Sequence, residues 1–100
     1  MKADYVKLVD LILSRGHAID VETGGDDPDV KLSQDRAEVL MAIESVEMAE
    51  LAVYEPCGGD GDKAYWRFVF WAMIIPFGVA PDETVADYTD NGYWLEEIAL

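Results

Sequence analysis

From Ala64 to Ile75 the chain is apolar on both sides of an extended backbone, and this stretch constrains the fold more than any other. Period-two alternation places Tyr65, Val69, Trp71 and Met73 on one side and Trp66, Phe68, Phe70 and Ile74 on the other, with Arg67 the one charge. Aromatic and β-branched side chains suit a pleated surface. A strand apolar on both sides needs cover on both, so it belongs inside a sheet and not at its edge. The uncharged run from Phe68 to Ala80 is thirteen residues long and holds Pro76 and Gly78, too short and too broken for a membrane span.

The rest of the chain supplies partners for that strand. Tyr5, Leu8, Val9 and Ile12 share one face at helical spacing, which predicts a helix over residues 4–15 with Asp4 as cap and Gly16 as stop. Ala18 to Thr23 alternates, with Ile19 and Val21 on one side and Asp20 and Glu22 on the other: a half-buried strand ending in the turn Gly24 to Pro28. Ser33 suits the N-cap of a second helix, with Asp35 in its first turn and Val39, Ala42, Ile43 and Val46 as its buried stripe. Residues 49–55 read as a strand leading into Pro56 and a glycine-rich connection. The competing reading continues the second helix to Glu55, because Ala49 and Val53 extend its stripe. A short strand is expected over Thr84 to Thr89, and a last helical segment over Tyr93 to Ala99 after Asn91-Gly92. The sum is a single α+β domain over residues 1–100, a small, mainly antiparallel sheet packed with two to three helices.

A hundred residues with 51% hydrophobic content suffice for a core without staples. One cysteine, Cys57, forms no internal disulfide, and one Cys with one His builds no zinc site, which fits a reducing cytoplasm. The N-terminal segment is amphipathic and interrupted by Asp10, unlike a secretion signal. Charge is the outlying quantity: twenty-one acids against seven bases give −14. Such a chain repels phosphate, which excludes direct nucleic-acid binding.

Catalytic and metal motifs are weak. Asp60-Gly61-Asp62 after Gly58-Gly59 has calcium-loop composition, but Lys63-Ala64-Tyr65 follows where further ligands are required. A hydrolase using Asp60 and Asp62 with a metal would rest on that pair alone. Asp26, Asp27 and Asp29 bring three carboxylates together without the cations that hold a phosphate substrate, Lys31 aside. His17 and Cys57 form a catalytic pair only if the fold joins them and a third group orients the base. Tyr65 to Trp71 lacks the positive flanks of a base-stacking platform and reads as core, or as a surface for self-association. No catalytic residue, metal site or cofactor is assigned, and the chain reads as a non-enzyme.

The carboxylates run without counter-charge. Five lie between Asp20 and Asp29; seven lie between Ala37 and Asp62 and six follow Arg67, with no Lys or Arg in either of those last two spans. Glu44 and Glu47, three apart on the expected helix, would stand about 4.5 Å apart along its axis. With Glu50 nearby, that spacing approximates the dense charge of a nucleic-acid backbone. A solvated acidic face or salt adaptation accounts for the same residues. Like charges so close cost stability, which a Lys- and Arg-rich partner would relieve. The partner-binding set is therefore Asp20, Glu22, Asp26, Asp27, Asp29, Glu44 and Glu47.

In length, in these unopposed carboxylates and in its lack of catalytic motifs, the chain resembles the small acidic anti-CRISPR proteins of phages, type I-F inhibitors in particular. The resemblance is one of bulk properties. It implies a non-catalytic inhibitor in the host cytoplasm, monomer or homodimer, that mimics DNA and covers a basic surface of a protein or ribonucleoprotein defence complex. The alternatives are an immunity protein or antitoxin against a basic nuclease, and a self-associating structural subunit.

Overall fold

The structure, a computed structural model, describes residues 3–24, 28–57 and 65–89. Two helices and five strands follow one another as α1 (Asp4–Ser14), β1 (Ala18–Glu22), β2 (Val30–Ser33), α2 (Arg36–Ile43), β3 (Ala49–Pro56), β4 (Trp66–Ile74) and β5 (Val85–Tyr88). A single 3-10 turn, Pro81–Glu83, precedes β5. All pairings are antiparallel and the strand order is β2-β1-β3-β4-β5. This is a small α+β fold, and β4 lies inside the sheet as its two-sided apolar pattern requires. The third expected helix, Tyr93 to Ala99, lies outside the described residues. Among the described residues no helix is long and apolar enough to cross a membrane.

Both helices pack on one face of the sheet. Tyr5, Leu8, Val9 and Ile12 from α1 and Val39 and Ile43 from α2 meet Ile19, Val21, Ala49, Leu51, Val53, Phe70, Ala72 and Ile74 in one core. Helix α1 ends as its glycine dictates: Gly16 takes φ 77°, and its N–H and those of Arg15 and His17 bond back to the last turn. Its start departs from expectation. Ala3 is the N-cap and offers no side-chain acceptor, so Asp4 sits inside the first turn. The buried Thr84 replaces the local cap, its Oγ1 accepting the Tyr5 N–H at 3.0 Å while donating to the Pro81 carbonyl. One helix end is thus satisfied from the far end of the chain.

The second helix is shorter than its apolar stripe suggested. Asp35 is the N-cap, with Oδ1 accepting from the Ala37 and Glu38 amides. Ser33, expected as the cap, instead closes β2, a strand absent from the sequence-based layout, and its Oγ accepts the Asp35 N–H. The helix stops at Ile43, and residues from Ala49 form a strand, which settles the choice between strand and long helix. Ala49, Leu51 and Val53 are buried because strand pairing offers every second residue a core position.

Two irregularities aim side chains. In β2, Leu32 adopts φ 46°, the left-handed region, and its N–H donates to Asp20 Oδ1 at 2.6 Å. In β4, Phe70 faces Val53 while Phe68 faces Tyr54, so Val69 is the extra residue of a β-bulge. This bulge corrects the simple alternation. Phe70 is fully buried whereas Phe68, two residues earlier, is 49% exposed on the opposite side of the sheet with Trp66, Trp71 and Met73.

Candidate functional site

The face of the sheet turned away from the helices carries the chain's unusual chemistry. Glu22 of β1 is the direct partner of Glu50 of β3, which puts their Cβ atoms about 5 Å apart. Across from Glu50 lies Met73, and across from Met73 lies Asp87. The next row is Asp20, Ala52 and Trp71, and the one after it Ala18, Tyr54 and Phe68. Tyr54 and Phe68 meet edge to face, ring centroids 5.9 Å apart. Pro56 and Trp66 complete the sequence. Along the strands the face grades from carboxylates to aromatic rings.

Two recesses interrupt this surface. One, between the acidic and aromatic rows, is lined by Asp20, Glu22, Glu50, Ala52, Tyr54 and Trp71. The other lies beyond Tyr54 and is bordered by Asp20, Lys31, Leu32, Tyr65 and Trp66. Burial, and secondarily the charge of Asp20, raises the Tyr54 phenol above its ordinary value, so the ring stays neutral beside the carboxylates. The hydrogen bond from the Leu32 amide fixes the Asp20 carboxylate at the junction of the two recesses.

Charge compensation lies elsewhere. Ion pairs among the described residues include Arg36 Nε with Asp10 Oδ1 at 2.6 Å, Arg67 with Glu55, and His17 Nε2 with Glu55 at 3.8 Å. These belong to the helix layer and to the end of the sheet beneath it. None involves Asp20, Glu22, Glu50 or Asp87. No group of three or more His, Cys, Asp or Glu among the described residues is placed to hold a metal ion.

The seven acids predicted from sequence do not form one patch. Asp20 and Glu22 stand on the open face. Asp29 is exposed in the turn before β2, accepts from the Thr23 hydroxyl and donates its N–H to the Val21 carbonyl at 2.9 Å. Asp26 and Asp27 lie outside the described residues, as do Asp60 and Asp62. Glu44 follows α2 and accepts the Tyr5 hydroxyl at 2.5 Å. That contact belongs to the helix layer. Glu47 is exposed beside Met48, Ile75 and Phe77 at the end of the sheet. The helical spacing argued for Glu44 and Glu47 does not apply, because α2 ends before both. Sequence reasoning missed Glu50 and Asp87 as members of the open face. The alternation of Leu51 and Val53 showed which way Glu50 points; its pairing with Glu22 depends on strand order, for which the sequence carried no signal.

Comparisons with protein-family models, with curated proteins and with solved structures return no match. The functional argument therefore stands on the geometry of this face.

Proposed function

We propose that the chain is a non-catalytic inhibitor that applies its open sheet face to a basic, nucleic-acid-binding surface of a host defence complex and blocks target-DNA recognition. One observation carries this: Asp20, Glu22, Glu50 and Asp87 share, with aromatic rings, the face that the two helices leave uncovered, while the pairs Arg36–Asp10 and Arg67–Glu55 lie on the other side. Carboxylates on neighbouring strands stand about 5 Å apart and those two strands apart about 10 Å, a density of negative charge that attracts lysine- and arginine-lined grooves. The aromatic rows supply apolar contact at the centre of such an interface. Protein surfaces of this kind steer association and lose affinity as salt rises.

The test is displacement of target DNA from an RNA-guided surveillance complex by the purified protein, across a salt series. The expected result is loss of DNA binding at low salt, abolished by the double reversal Glu22→Lys and Glu50→Lys. Inhibition that survives the reversal, or that is indifferent to salt, would sink the proposal. Neutralisation of a basic nuclease, with the surveillance complex unaffected, would move the assignment to an immunity protein.

A further inference from the structure

The recess between the acidic and aromatic rows has a floor, two walls and a rim of distinct chemistry. Ala52 is the floor: it sits between Asp20 and Trp71 in its row. Two strand spacings separate the backbones of those neighbours, about 10 Å, and a methyl group fills little of the gap. Trp71 closes one side and Tyr54 another, while Glu22 and Glu50 stand one row along at the acidic end. A cation is the occupant that relieves the facing pair Glu22 and Glu50. Among the described residues, Lys31 borders the neighbouring recess on the far side of Tyr54.

We infer that the recess over Ala52 is a guanidinium site, which seats an arginine side chain of a protein partner between Trp71 and Tyr54 and against the carboxylates of Asp20, Glu22 and Glu50. The inference rests on the basic-partner reading above and narrows it from positive charge to one side chain. Guanidinium is planar and weakly hydrated, so it stacks on an indole or phenol ring at small desolvation cost. Its five N–H donors diverge in one plane and serve more than one carboxylate at once, as acids on two sides of the recess demand. An ammonium group is compact and strongly hydrated, and gains less from aromatic walls. Asp20 is suited to its part because one oxygen is already held by the Leu32 amide, which orients the carboxylate before any partner arrives.

Nona-arginine and nona-lysine peptides, equal in charge and length, test the site by titration calorimetry against the full chain at about 0.15 M salt. The arginine peptide is expected to bind about fivefold tighter. Ala52→Leu fills the floor without altering charge, and should erase that preference while leaving the lysine peptide's affinity in place. Glu22→Gln with Glu50→Gln should weaken both peptides. Equal affinity of the two peptides for the unmodified protein overturns the guanidinium site and leaves the electrostatic reading standing. A preference that persists in Ala52→Leu, with its thermal unfolding unchanged, overturns the recess as its location. Failure of both peptides to bind overturns the site together with the reading beneath it.

Discussion

The two faces of the sheet are built from the same strands and obey opposite rules. On the helix side, alternate residues of β1, β3 and β4 such as Ile19, Leu51 and Phe70 are fully buried and aliphatic or aromatic, and Arg36 pairs with Asp10 and Arg67 with Glu55. On the open side the intervening residues are half-buried and combine carboxylates with large rings, in an arrangement that places Glu22 directly opposite Glu50. A core maximises its own stability; the open face carries a repulsion that a fold alone has no use for. The contrast separates what holds the protein together from what is left to meet a partner.

The largest effect should come from the two phenylalanines that flank the bulge. Phe70→Ala removes a fully buried ring and should cost about 3–5 kcal/mol in urea unfolding, whereas Phe68→Ala, on the open side, should cost under about 1 kcal/mol. Similar losses at both positions would erase the division between the faces.

A middle-sized effect belongs to Tyr5, whose hydroxyl donates to Glu44 under the helix layer. Burial first, then the hydrogen bond and charge of Glu44, pushes its phenol from 10.0 up to about 12. The folded protein thus keeps a proton that the unfolded chain releases. That share of stability is whole below the ordinary value of 10.0 and is lost as pH climbs towards about 12. Tyr5→Phe should be about 1–2 kcal/mol less stable at neutral pH and should lack this alkaline decline, so the two stability curves converge at high pH. Parallel curves would show that the Glu44 contact contributes nothing.

The smallest effect has the opposite sign. Glu50→Gln removes one member of the facing pair and should raise stability by about 0.2–1 kcal/mol at low salt, a gain that shrinks as salt screens the charges. The same substitution should weaken binding of a basic partner. A stability loss at Glu50 would place it among the structural residues and blur the comparison.

How far these faces were legible in the sequence differs element by element. Local signals sufficed for α1, with its stripe and Gly16 stop, and for β1, whose alternation already set Asp20 and Glu22 apart from Ile19 and Val21. They failed at β2, four residues long and containing a left-handed Leu32 that no alternation pattern anticipates. They failed at Ser33, which has the chemistry of a cap but ends a strand, while Asp35 two residues on caps α2. The candidate site was half visible. Which acids point away from the core followed from period two, but which acids stand side by side followed from strand order, a non-local property. Glu44 was misplaced for a related reason: its partner, Tyr5, lies 39 residues away.

The bulge at Val69 makes the identity of the displayed rings a matter of counting. If Val69 instead took its own place in an unbroken ladder, opposite Tyr54, Trp66 and Phe68 would swing to the interior side and the aromatic end of the open surface would empty. Point substitutions at Trp66 or Phe68 can therefore retune what is shown to the outside without touching the core. A slip that closed the bulge with Val69 retained would turn half the strand inside out in one step, whereas deletion of Val69 would leave every ring on its present side.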